Sequence, residues 1–200
     1  MIIGKDELHE YMDSLKGEEF EMLLLFEIYT GLRQNEIIAL NWDNISFEDK
    51  KVSVNKALIR IRVYDENKND YVAEWKYEIP KTKENKRDIP LTDSLVEKLK
   101  KYKDEQKKYF ENNNIANEEN LVFTDKTGRK IMHHIIRNFN RYIAKKADLE
   151  YITFSTFRNS FALSLIEKRL PIKTVASLLG HSSLKTTYRI YKHAKEVVNN

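Results

Sequence analysis

Thr30-Gly31-Leu32-Arg33-Gln34-Asn35-Glu36-Ile37-Ile38-Ala39-Leu40 ends one helix and begins another within a few residues. Upstream, Glu18 to Tyr29 is mostly apolar, with Phe20, Leu23, Leu24, Glu27 and Ile28 at helical spacings, and Thr30-Gly31 breaks it. Downstream, a short helix from Gln34 to Leu40 turns Ile37, Ile38 and Leu40 inward, and Trp42 closes it. Arg33 stands at the start of that second helix, directly behind the glycine break. Two readings of Arg33 follow. Its guanidinium and the helix N-terminal N–H groups converge on one anion, or it bridges the helix ends through Glu36.

Outward from this stretch, Lys5 to Lys16 reads as an amphipathic helix, and the period changes between Ile45 and Leu91. Val52 to Val54 and Leu58 to Val63 alternate, and Tyr71 to Ile79 is rich in aromatic and branched residues, which predicts one small antiparallel sheet. Its hairpin tip, Lys81 to Arg87, is crowded with positive charge before a last short strand, Asp88 to Leu91. Thr92 caps a long helix that Asn112-Asn113-Asn114 ends, and Leu121-Val122-Phe123 reads as a short strand. Four helices follow: Ile131 to Ala147, Thr156 to Lys168, Ile172 to Leu179 and Leu184 to about Val197, with Gly180 at a helix end. The fold class is α+β, mainly helical, with a small antiparallel sheet in the N-terminal half, and residues 1–200 form one domain.

Composition narrows the function. The 200 residues contain no cysteine, so disulfides, thiolate metal sites and a Cys nucleophile are excluded, and the five His are too scattered for a metal cluster. The longest apolar stretch, around Met22 to Ile28, is interrupted by Glu27 and is too short to span a bilayer, so a soluble, cytoplasmic protein without a membrane partner is expected. The net charge of +4 conceals an asymmetry. Arg129 to Lys195 holds fourteen basic residues against three acidic ones, a local net of +11 that leaves −7 elsewhere. Such a surface meets polyanions, nucleic acid foremost, although a solvated lysine-rich face has the same composition.

Two further segments complete the pattern: Ser155-Thr156-Phe157-Arg158-Asn159, with an Arg in the first turn of a helix, and Leu178-Leu179-Gly180-His181-Ser182-Ser183, followed ten residues after His181 by Tyr191. With Thr30 to Trp42 and Pro80 to Leu91 they occur in the order in which the sequence resembles the tyrosine recombinases, or phage integrases, and specifically their catalytic domain. The resemblance implies a site-specific recombinase that cleaves and rejoins double-stranded DNA through a 3′-phosphotyrosyl intermediate, without metal, ATP or a small-molecule cofactor. It implies that Arg33 and Arg158 bind the scissile phosphate, that His181 is a further phosphate ligand and that Tyr191 is the nucleophile. It also implies that Lys81 protonates the leaving 5′ oxygen, with Lys83 as the alternative acid. Tyr191 is preferred to Tyr188 because Tyr191-Lys192-His193 matches the family ending.

The residue types suit the chemistry. Guanidinium forks match the oxygens of a pentacoordinate phosphorane, and a tyrosine of ordinary pKa about 10 needs positive charge or a base nearby. Lysines crowding one another lower the pKa of the one that acts as acid. Lys83, Lys86 and Arg87 of the hairpin, with Lys185 and Arg189 of the last helix, are the expected DNA contacts. One position departs from the family pattern: Ser155 stands where a His is usual, and Asn159 follows Arg158 where His is also common. A catalytically impaired DNA-binding relative is therefore the alternative function, and a type IB topoisomerase shares the same tyrosine chemistry. The family's N-terminal core-binding domain has no counterpart in this stretch, which is expected to be the isolated catalytic domain. Self-assembly to a tetramer on DNA is the expected working state.

Overall fold

The computed structural model describes residues 2–79 and 86–198, with side chains as far as 192. The element order is α1 (Lys5–Leu15), α2 (Glu21–Thr30), α3 (Gln34–Ile38), a 3-10 turn (Trp42–Asn44), β1 (Ile45–Ser46), β2 (Lys51–Val54), β3 (Ala57–Asp65), β4 (Asp70–Glu78), β5 (Arg87–Pro90), α4 (Asp93–Asn113), α5 (His133–Lys146), α6 (Phe154–Glu167), α7 (Ile172–Leu179) and α8 (Leu184–Val198). The expected mainly helical α+β class holds.

α2 is the axis of the core. Met22 to Ile28 are all buried, as befits a helix that is apolar all round, and α2 packs against α6, α4 and α3. Gly31 ends it in the left-handed conformation at φ 60, donating its N–H to Glu27 O at 2.7 Å. A methyl group at Gly31 would lie 2.5 Å from Phe161 Cδ1, so this glycine serves both the turn and the approach of α6. α5 lays Ile136, Asn140, Ile143 and Ala144 inward at helical spacing. A second, smaller cluster of Ala162, Val175, Leu179 and Ile190 binds α6, α7 and α8 together. The C-terminal helices thus have their own apolar seam and sit on α2 through α6.

The strands differ from the single sheet expected. β1, β2 and β5 form one antiparallel sheet, with Val52 opposite Ile89, whereas β3 and β4 pair only with each other, from Ala57–Glu78 to Asp65–Asp70. Burial explains the division. Val52, Val54 and Ile89 face the core, but beyond Leu58 both faces of β3 and β4 are open to solvent, so this pair projects as a ribbon. The ribbon is tied down by Trp75, whose ring stacks on His133 at 4.7 Å and 9°, while His133 Nε2 meets Asn35 Oδ1 at 2.5 Å. Leu121 makes one isolated bridge to Asn41 rather than a strand, because its own N–H donates to Asn117 Oδ1 and its own carbonyl accepts from Asn117 Nδ2.

One buried polar link ties α1 to α5. Tyr11 Oη donates to Asn140 Oδ1 at 2.5 Å, and Asn140 Nδ2 donates to Ile152 O at 2.6 Å, all without water access. Asn140→Ala leaves a hydroxyl and a carbonyl unpaired, so a urea midpoint shift worth ~2–4 kcal/mol with an unchanged slope is expected.

Candidate active site

The site is built on the C-terminal end of α7. Gly180, left-handed at φ 64, closes this helix, and His181 N–H returns to Ala176 O at 2.9 Å. The last carbonyls then receive three arginines from three distant elements. Arg87 Nε donates to Leu178 O at 2.7 Å, Arg158 Nη2 to Leu179 O, and Arg33 Nη2 to Gly180 O at 2.7 Å. Cations at this end complement both the orphan carbonyls and the negative pole of the helix. A methyl group at Gly180 would come within 2.9 Å of Arg87 Nη1, so glycine is required here for contact as well as for φ.

Glu36 knots the cluster from the other side. Arg87 grips it with both ends of its fork, Nη1 to Oε1 at 2.9 Å and Nη2 to Oε2 at 2.8 Å, while Arg33 adds Nη1 to Oε1 at 2.9 Å. Arg33's own backbone N–H donates to Oε2 at 2.8 Å. Burial pushes the Glu36 carboxyl up, but the hydrogen bonds and charge of Arg87, then Arg33, win and hold it below the usual range. Of the two readings of Arg33, the bridge through Glu36 forms, and the amide that was to join an anion site is taken by that carboxylate. Arg33 nevertheless keeps 46% of its side chain exposed.

Arg158 lies deeper. α6 begins at Phe154, so Arg158 sits beyond the first turn, and its fork reaches Gly31 O through Nη1 and Leu179 O through Nη2 rather than a helix N-terminus. Burial first, then the charge of Arg33, draws its pKa down to about 9, which leaves it charged at neutral pH. His181 bonds through Nδ1 to Thr187 Oγ1 at 2.9 Å. Burial, then Arg158, Arg33 and Arg87, lower its pKa to about 4, so at neutral pH it is an uncharged hydrogen-bonding group and adds nothing to the positive field of the arginines. Three guanidiniums therefore surround a single bonded carboxylate, and the site carries excess positive charge on one open side.

The remaining predicted residues are placed unevenly. Tyr191 lies on α8, half-buried, one turn after the buried Thr187 that anchors His181, whereas Tyr188 is 58% exposed; their rings are 6.2 Å apart. Ser155 is exposed in the first turn of α6, and Lys86, Lys185 and Arg189 are exposed. Arg87, expected on the hairpin as a DNA contact, is instead the first residue of β5 with only 5% of its side chain exposed, its fork consumed by Glu36. Lys81 and Lys83 lie outside the described residues. The sequence reading missed the Arg87–Glu36 pair and Thr187. Glu36 stood in the quoted motif, but nothing local signals a partner fifty-one residues away.

The sequence matches the profile described as the phage integrase family over residues 3–197. The chain belongs to that family. Among curated relatives, a "tyrosine recombinase XerC-like" protein of Caldanaerobacter subterraneus is 33% identical over 192 residues, covering 94% of this chain and 49% of that protein. The ICEBs1 integrase of Bacillus subtilis is 28% identical over 177 residues, 87% of this chain and 45% of its own length. This integrase-family chain thus spans about half the length of the curated relatives it matches. Among solved structures, the Tn1549 transposon integrase in complex with transposon right end DNA superposes with a TM-score of 0.76 at 17% identity, over 96% of this chain and 61% of that one, a likeness of fold. Among the described residues, no helix is long and apolar enough to cross a membrane, and no group of three or more His, Asp or Glu could hold a metal ion.

Two measurements probe the cluster. Glu36→Gln strands the buried Arg87 charge and is expected to cost ~3–5 kcal/mol in chemical denaturation, well above Arg33→Ala, whose side chain is half in water. His181 should give the NMR shifts of a neutral ring down to about pH 5, since its pKa in the fold is about 4 against an ordinary 6.5. Between those values the unfolded chain binds the proton and the folded one does not, so His181's share of stability is present above pH 6.5 and is lost as pH falls towards 4.

Proposed function

We propose that this chain is the catalytic unit of a metal- and ATP-independent site-specific recombinase acting on double-stranded DNA. The observation that carries the reading is the convergence of Arg33, Arg158 and His181 at the end of α7, with Tyr191 one helical turn from the residue that anchors His181. Arg33 and Arg158 hold the non-bridging oxygens of the scissile phosphate, replacing carbonyl and Glu36 contacts as it enters. Neutral His181 shares in binding the phosphate, whose negative charge raises its proton affinity. Tyr191 Oη attacks phosphorus and releases its proton to solvent, the phosphorus–O5′ bond breaks, and Lys81 supplies the proton to the leaving 5′ oxygen. A 3′-phosphotyrosyl bond and a 5′ hydroxyl result. The energy of the phosphodiester is conserved in the new bond, so attack by a second strand's 5′ hydroxyl reverses the step without ATP.

The guanidiniums supply the charge neutralisation at phosphorus that a metal supplies elsewhere, and they do so from preformed positions. Exposed Lys86, Lys185 and Arg189 contact flanking phosphates. Pairing of strands requires more than one active site, and a tetramer around two duplexes, working on DNA in the cytoplasm, is the assembly this reading entails. Ser155, exposed and without an imidazole, offers a hydroxyl hydrogen bond in place of the usual acid–base group.

Nicked suicide duplexes test the reading: wild type should trap a protein–DNA adduct that survives denaturation, Tyr191→Phe should abolish it, and Tyr188→Phe should retain it. DNA binding without any adduct marks a binding-only relative. Ser155→His should raise the cleavage rate, within the ~10²–10⁴-fold span of acid–base contributions. Affinity for duplex should fall steeply and log-linearly with salt, and a flat salt profile contradicts phosphate-driven binding.

A further inference from the structure

Glu27 lies on α2, one turn before the Gly31 cap, and is fully buried, with neither carboxyl oxygen hydrogen-bonded among the described residues. Thr30, the nearest hydroxyl on its own helix, gives its proton to Phe26 O at 2.6 Å instead. The groups brought to this region by the packed elements are few. α1 contributes Tyr11, whose hydroxyl is committed to Asn140 of α5, and α6 contributes Arg158. α3 contributes Glu36, acting on the same arginine, and α4 buries Leu95, Val96 and Leu99, with Tyr102 packed against the core and Lys98, Lys101 and Glu105 along the outer edge of the α2–α4 contact. Burial holds Glu27 protonated well above the carboxylate range, with Arg158 pulling the other way.

Arg158 is the complementary anomaly. Its hydrogen-bond partners are the backbone carbonyls Gly31 O and Leu179 O, and the one carboxylate of the cluster is occupied by Arg87 and Arg33. Glu27 and Arg158 are thus a buried acid and a buried cation that meet at one helix end, Glu27 O accepting from Gly31 N–H and Gly31 O accepting from Arg158 Nη1, without a hydrogen bond between their side chains. An apolar residue at 27 would cost the fold less. We propose that Glu27 is the positioning residue behind Arg158, a buried acid whose proton occupancy sets how much of the guanidinium's charge is presented to an anion at the open side of the site. Protonated Glu27 adds no negative charge to that of Glu36, which Arg87 and Arg33 already hold, and the field of Arg158 acts on the incoming phosphate. When Glu27 releases its proton to solvent, the carboxylate formed behind Arg158 neutralises it and weakens the anion site. By linkage, a bound anion raises the proton affinity of Glu27 by the same factor. The inference rests on the reading of Arg158 as a phosphate ligand.

Sulfate, whose charge is constant across the pH range, is the probe. Its affinity is read from the arginine Nε–H NMR signals at pH 6 and pH 8, where Arg158 stays charged, at constant ionic strength, for wild type, Glu27→Gln and Glu27→Leu. Wild type is expected to lose ~5-fold or more in affinity between the two pH values, the low end of ordinary site coupling, and both variants less than about 2-fold. The apolar variant should fold at least as stably as wild type, so it carries the test if the glutamine variant does not fold. Equal pH dependence in wild type and variants overturns the role of Glu27 and leaves the phosphate site standing. Absence of sulfate binding by wild type at either pH overturns the phosphate site, and the inference with it.

Discussion

Three arginines on the last three backbone carbonyls of α7 organise this protein. A helix C-terminus buried against other elements must find donors for those carbonyls, and here Leu178, Leu179 and Gly180 are served by side chains from β5, α6 and the start of α3. Each bond is strengthened by the arginine's charge and by the helix dipole. The same contacts draw segments far apart in the chain to one point. Without them, the seam of Ala162, Val175, Leu179 and Ile190 would hold α7 to α6 and α8 without setting how its end meets the motif at Thr30.

The arginines do not share one task. Arg87 is spent on structure, with its fork closed on Glu36 and its Nε on α7, in a place too buried to meet a ligand. Arg158 is buried and donates to the carbonyls of Gly31 and Leu179, and Arg33 is half in water. A graded arrangement results, from a fully compensated cation to a partly exposed one, with His181 held neutral at its edge by burial first and then by the charge of the others. Glu36 makes the crowding tolerable, since three guanidiniums converging without a carboxylate would repel one another in a low-dielectric setting.

Much of this was legible in the chain. The helix at Ile172–Leu179 follows from apolar spacing and from the glycine at its end, and Thr92 caps α4 by accepting from Leu95 N as its residue type suggests. The motif order around Arg33, Arg158, His181 and Tyr191 marked candidate site residues, and the structure brings Arg33, Arg158 and His181 to one helix end. The strands were less legible. β2 and β5 pair across a long excursion, and alternation alone does not say that the intervening ribbon pairs with itself and projects. Arg87 was misplaced for the same reason: a one-residue difference in where a strand starts converts an exposed hairpin cation into a buried one. Glu27 sat in a run of helical core spacings, where its charge looked like an interruption of an apolar span.

The sequence by itself determined the helix-rich class, the breaks at Gly31 and Gly180 and the membership of the motif set, because these depend on local propensity, periodicity and residue chemistry. Only the tertiary structure decided which arginine meets which carbonyl, that Glu36 is held by Arg87, that His181 is neutral and that the Glu27 carboxyl lies buried without a hydrogen bond. Those outcomes depend on desolvation and on charges brought together from opposite ends of the chain. Neither quantity exists until the chain has folded.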